Sequence, residues 1–183
     1  EFKCIPNAGK GITKIAVGAR HVLALSADNA VFLLGSNDHG QCGIRDLDVS
    51  PNDKPIKLDW PHKVTDIAAG KFHSAILTSE GEVVTFGFNK NLQLGKPQEW
   101  VKYEVPSIPM VPFGGYHAVR DSEQARFNSR SWNDTREFIT QYAHSVPSRV
   151  DYFVLNKIKA TKVVCGDEFT LVFDDKGAMY GFG

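Results

Sequence analysis

The chain has 183 residues, enough for one domain or slightly more. Lys plus Arg and Asp plus Glu are 21 each, so the net charge is zero, which argues against a chain held to nucleic acid or an anionic membrane by bulk charge. A 42% hydrophobic and 23% charged composition excludes wholesale disorder, and no apolar run approaches the ~18 residues of a membrane helix.

Taken in chain order, short apolar runs predict strands over 13–17, 22–25 and 31–34, with a turn at Ala27-Asp28-Asn29 between the second and third. The same series returns over 64–68, 74–77 and 83–86, with Ser79-Glu80-Gly81 as its turn. Asp134-Thr135-Arg136-Glu137 has capping-box form and precedes Phe138, Ile139, Tyr142, Ala143 and Val146, which predicts a short amphipathic helix near 134–146. Its expected role is packing on the rim. Strands over 161–164, 170–173 and 178–182 follow, turning at Asp174-Asp175-Lys176-Gly177. The three cysteines, Cys4, Cys42 and Cys165, form no Cys-x-x-Cys pair, and no leader-like stretch stands at Glu1. A reducing compartment, cytoplasmic or nuclear, is expected.

These elements are copies of one unit. Gly18 and Gly35, Gly70 and Gly87, and Gly166 and Gly183 each stand 17 residues apart. His21 and His73 follow their glycines at the third position, where Phe169 stands in the last copy. Gly114 and His117 repeat the Gly-x-x-His signature between them, and Pro55, Pro106 and Pro147 each lie about one strand upstream of the next unit. This spacing favours a degenerate unit at 106–146, where Ser131-Trp132 replaces the expected glycine, over one long insertion covering roughly 97–146. Period-2 strands and tight turns make each unit a small antiparallel sheet that cannot bury both faces alone, so units must stack as propeller blades.

The pattern Ile-x-x-Ile-Ala-x-Gly-x-x-His-x-x-Ala-Leu, continuing through Gly35 and Asn37 to Gly40-Gln41-Cys42-Gly43, resembles the regulator of chromosome condensation (RCC-type) repeat family. In the second unit it reads Gly87, Asn89 and Gln93-Leu94-Gly95, with Leu92 in place of the first glycine of that group. The resemblance implies an all-β partial β-propeller of antiparallel four-stranded blades. It would be a single incomplete propeller over 1–183, with units near 12–50, 64–96, 106–146 (degenerate) and 150–183 (truncated). Three or four units cannot close a ring of the family's usual size, so a piece of a longer propeller is expected. Gly18, His21, Gly35, Gly43, Gly70, His73, Gly87, Gly95, Gly114, His117, Gly166 and Gly183 are the structural residues of the repeat.

No nucleophile elbow, zinc motif or phosphate loop is present; Gly9-Lys10-Gly11-Ile12-Thr13 lacks the preceding glycine and the Ser or Thr after Lys. No catalytic residue, metal site or cofactor is expected. Repetition of His21, His73 and His117 at one position, with Phe169 as a substitute, marks them as buried packing residues, hydrogen-bonded and free of metal. Cys42 and Cys165 read as small core residues. The two residues between each Gly and its His or Phe are Ala19-Arg20, Lys71-Phe72, Gly115-Tyr116 and Asp167-Glu168. Equivalent loops of successive blades gather on one face, so Arg20, Lys71, Phe72, Tyr116, Asp167 and Glu168 are the candidate partner-binding residues. The expected function is a protein–protein interaction propeller acting as scaffold or adaptor. The alternative that the resemblance implies is guanine-nucleotide exchange on a small GTPase. A small GTPase or a ubiquitin-pathway component are the partner classes; nucleic acid is disfavoured, and membrane insertion is not expected.

Overall fold

The computed structural model describes residues 11–52, 54–96 and 142–183. In the first unit β1 (Ile12–Val17), β2 (His21–Ser26), β3 (Val31–Gly35) and β4 (Ile56–Lys57) form one antiparallel sheet in that order. In the second, β5 (Val64–Ala69), β6 (His73–Thr78), β7 (Val83–Phe88) and β8 (Ala143–Arg149) repeat the arrangement. A five-residue helix, α1 (Asp151–Leu155), leads to the last unit, where β9 (Ala160–Cys165), β10 (Thr170–Asp174) and β11 (Met179–Phe182) make a three-stranded sheet. Every strand expected from the sequence is present. The hairpin turns place Asn29, Gly81 and Gly177 at φ of 63°, 83° and 81°, the left-handed region that those residues tolerate.

The sheets stack face to face. Leu23, Leu33, Ile67, Ile76 and Phe86 close the core between the first and second, and Leu77, Val83, Phe153, Val163 and Val172 that between the second and last. The second sheet is therefore covered on both faces, and β6 is buried at every residue. That explains why its sequence, His-Ser-Ala-Ile-Leu-Thr, lacks a solvent-facing alternation. Cys42 lies wholly inside the first core and Cys165 packs against the second; burial pushes both thiols up to about 12, which keeps them inert.

Two repeated contacts bolt neighbouring sheets together. The Ala19 N–H donates to Lys71 O at 3.2 Å, and the Lys71 N–H to Asp167 O at 2.9 Å. His21 Nε2 lies 2.9 Å from Ser74 Oγ, which donates at 2.7 Å to Gln41 O. His73 Nε2 lies 3.0 Å from Thr170 Oγ1, which donates at 2.8 Å to Gln93 O. Because each hydroxyl spends its proton on a carbonyl, each imidazole must donate from Nε2, which fixes the tautomer with a bare Nδ1. Burial then lowers both imidazoles to about 4. The same rings explain Gly18 and Gly70: a Cβ there would overlap the ring three residues on and the next unit's glycine carbonyl. At Gly166 it would overlap the Phe169 ring.

One expectation needs correction. The stretch 143–146, expected as the end of a helix, is strand β8, hydrogen-bonded to β7; its apolar residues also suit an edge strand, and sheet pairing overrides the weak helical period. Residues 134–141 of that expected helix lie outside the described residues. Most of the unit expected at 106–146 lies outside the described residues. Its described end is the fourth strand of the second sheet, and that sheet contacts the last one by the same bolts that join the first and second. Residues 97–141, between the loop after β7 and the start of β8, lie outside the described residues. Pro147 lies within this fourth strand, one strand upstream of the last unit, at the irregular stretch of pairing between Gly87↔His144 and Thr85↔Ser148. Gly114, Gly115, Tyr116 and His117 lie outside the described residues, as does Cys4.

Candidate partner-binding face

The loops joining β1 to β2, β5 to β6 and β9 to β10 sit side by side, because the peptide hydrogen bonds from Ala19 to Lys71 and from Lys71 to Asp167 run directly between them. Each is anchored from behind by the loop that leaves the third strand. The Ser36 N–H donates to Arg20 O at 2.8 Å and the Phe88 N–H to Phe72 O at 2.9 Å. Gly35 and Gly87 make this approach possible: both have φ near +110°, and a Cβ would strike the same Arg20 and Phe72 carbonyls.

Arg20, Lys71, Asp167 and Glu168 are exposed. Val17, Gly18 and Ala19, with Gly70, Lys71, Gly166 and Asp167, line an open groove where the first strands of the three sheets end. Phe72 is only half-buried on this face rather than freely exposed, because His39 stacks on its ring with centroids 4.3 Å apart and planes 11° from parallel. Lys71 Nζ sits 5.6 Å over the same ring. The His39 edge meets Phe88 at 5.0 Å, and Phe88 meets Tyr142 at 5.9 Å. Tyr116 lies outside the described residues.

The loops after the third strands supply residues that the sequence reading did not single out. Asp38 faces Arg20, with Oδ2 3.6 Å from NH1. Burial opposes its charge, but the Ser36 hydroxyl, the Gln41 amide and nearby His39 bring its carboxyl down to about 2. Asn91 Nδ2 donates to Glu168 Oε2 at 2.7 Å and holds that carboxylate beside the second unit. Asp38, His39 and Asn91 occupy variable positions of the Asn-x-x-Gly-Gln-x-Gly stretch, which was the available signal. The constant positions are internal braces. Asn37 Oδ1 accepts from the Cys42 N–H and Asn89 Oδ1 from the Leu94 N–H, both at 3.0 Å. Gln41 and Gln93 each accept at 2.8 Å from the backbone N–H two residues before, and both are buried.

This face offers charges, one amide and stacked rings, the chemistry of recognition. On the outer side His62, Glu80 and Glu82 approach one another closely enough to suit a metal ion. Arg149 intervenes, however: its Nε lies 3.0 Å from Glu82 Oε1 and NH2 3.0 Å from His62 Nε2. With Nδ1 3.3 Å from Glu80 Oε1, the ring is already engaged on both sides, so this is an ion-pair network built around a guanidinium.

The signature described as the "Regulator of chromosome condensation (RCC1) repeat" matches residues 28–77, and a second signature of the same description matches 12–41 and 64–93. The chain is 41% identical over 165 residues to the X-linked retinitis pigmentosa GTPase regulator homolog of Caenorhabditis elegans, covering 90% of this chain and 9% of the relative. It is 25% identical to the regulator of chromosome condensation of Xenopus laevis, covering 94% of this chain and 46% of that one. Among solved structures, yeast RCC1 (Prp20) bound to Kap60 superposes with a TM-score of 0.62 at 24% identity, over 93% of this chain and 31% of that one. The chain thus spans less than half the length of each of these proteins. With the repeat signatures, the bolted antiparallel sheets and the shared fold in agreement, the units over residues 12–93 are repeats of the regulator of chromosome condensation family, and the chain has the fold of part of its propeller.

Proposed function

We propose that these blades form part of a protein-interaction propeller whose partner docks on the face carrying Arg20, Lys71, Phe72, Asp167 and Glu168. The observation that carries this reading is the inter-blade peptide bonding, which sets the two variable residues of each loop next to those of the next. The arc runs from basic (Arg20, Lys71) to acidic (Asp167, Glu168) across a half-buried aromatic, which suits a protein of mixed surface charge better than a polyanion. Binding, not catalysis, is the activity. A scaffold or adaptor role within a longer polypeptide follows from it.

The test is affinity measurement with the full-length polypeptide and the partner it captures. Lys71→Glu and Asp167→Lys should each weaken binding about tenfold or more, through loss of complementarity and slower association. Unchanged affinity in both, with loss on changing Glu80 at the outer side, would place the partner elsewhere. Exchange-factor activity on a small GTPase is a second reading, favoured by the 41% identity to a GTPase regulator homolog. Accelerated release of fluorescent GDP from a small GTPase, lost in Asp167→Asn with Glu168→Gln, would support it; no acceleration would leave the adaptor reading alone.

A further inference from the structure

The far ends of the strands carry a second surface, roughly 20 Å from the loop face because β2 and β6 are six residues long. Two pockets lie there, one at each junction between sheets. The first, of about 180 Å³, opens between the β2–β3 turn and the segment joining β4 to β5, on a floor of Val31, Leu58 and Trp60. The second, of about 230 Å³, repeats it between the β6–β7 turn and the segment after α1, on Phe153 and Ile158. His62 lines the first and Glu80 the second, and the 3.3 Å contact between them forms the ridge that separates the two. These walls belong to units packed on one another, not to the outward faces of the first and last sheets.

Each pocket has two exposed lysines at its lip, Lys57 and Lys63 at the first and Lys157 and Lys159 at the second. None of the four makes an ion pair among the described residues. The acids alongside are already engaged: Asp28 accepts from the Ser26 hydroxyl, Glu80 faces His62 and Glu82 holds Arg149. The uncommitted charge of this furrow is therefore that of its ammonium groups. Lys157 takes a left-handed φ of 53°, strained for a residue with a Cβ and free for glycine. Its side chain is exposed, so burial is not what keeps a lysine there. The stem of Lys159 lies against Gly81, where an added Cβ would overlap its Cγ.

We propose that this furrow docks an extended acidic segment of a partner protein, which sets one large apolar side chain in each pocket and carboxylates against Lys57, Lys63, Lys157 and Lys159. The apolar floors bury the anchors, and the unpaired ammonium groups select acids. A continuous polyanion such as nucleic acid fits worse, because the carboxylates of Glu80 and Glu82 stand on the ridge that it would cross. The site is separate from the loop-face reading and stands or falls without it.

The test is fluorescence polarisation of labelled peptides of about twelve residues with the full-length polypeptide. Each peptide carries one Phe and one Leu in an Asp- and Glu-rich sequence, separated by about three to seven residues, which spans ~10–25 Å when extended. At least one spacing should bind about tenfold more tightly than its counterpart with Ser in place of Phe and Leu. Lys63→Glu combined with Lys159→Glu should weaken that peptide about tenfold or more, whereas Lys71→Glu on the loop face should leave it unchanged. Absence of binding at every spacing, equal binding of the Ser peptide, or indifference to the Lys63 and Lys159 changes would each overturn the proposal. So would equal weakening by Lys71→Glu, which would move the peptide to the loop face, or tighter binding of a labelled DNA duplex than of every peptide.

Discussion

At the residue scale the repeat is governed by a few side chains whose neighbours leave them no alternative. Leu92 shows the cost of departing from the pattern. It takes a left-handed φ of 62° where the first unit has Gly40 at 78°, and its side chain is 47% exposed. A Leu in that region is strained by about 1 kcal/mol and gains little burial in return. Leu92→Gly should therefore stabilise the protein by roughly 0.5–1 kcal/mol in urea unfolding; a loss of stability would mean that the side chain packs more than its exposure implies. His21 and His73 carry a pH dependence. Both are held at about 4 by burial, against an ordinary 6.5. Between those values the unfolded chain binds protons that the fold excludes. Stability is thus complete above pH 6.5, falls as pH drops toward 4, and levels off below. The loss approaches about 3 kcal/mol for each histidine. Comparing unfolding at pH 7.5 and pH 5 should show that His73→Phe removes about half of this dependence, at a cost of about 1–2 kcal/mol at pH 7.5 for the lost hydrogen bond. A pH profile identical to the parent would contradict a neutral, buried imidazole.

At the element scale, three-strand units were legible because their periodicity, turns and glycines agree in every copy. The fourth strands were not. β4 has two residues, and β8 arrives after a long interruption with a proline and an irregular register, so neither presents a period-2 run. The five residues of α1 are too few to show a helical period; α1 is set by the burial of Phe153 against Tyr180 and Phe182. Placing β8 beside β7 has a direct consequence for 97–141. Replacing that segment with about ten Gly and Ser residues should leave the β signal and Tm within a few degrees of the parent, since a shorter connection between β7 and β8 costs slightly less closure entropy. Loss of cooperative unfolding would show that the segment is part of the blade. The loop residues of the candidate face were legible at Arg20, Lys71, Asp167 and Glu168. Asp38, His39 and Asn91 were not, because they come from another loop and only the stacked sheets bring them there.

At the scale of the whole molecule, stacking converts a sequence repeat into an arc of loops. Each sheet buries the next one's face and each loop bonds to its neighbour's backbone, so residues of unlike chemistry share one surface while their scaffolds remain alike. The repeated His, Asn and Gln side chains are buried, whereas Arg20, Lys71, Asp167 and Glu168 at the variable loop positions are exposed. Partner choice can change along such a surface without loss of fold. The most direct test is amide hydrogen exchange on the full-length polypeptide with and without its bound partner. Docking on the loop face predicts new protection at 18–20, 70–72 and 166–168 and at the neighbouring loops 37–40 and 89–92, with β4 and β8 unchanged. Protection confined to β4, β8 or 97–141, with those loops exchanging as in the free protein, would contradict it.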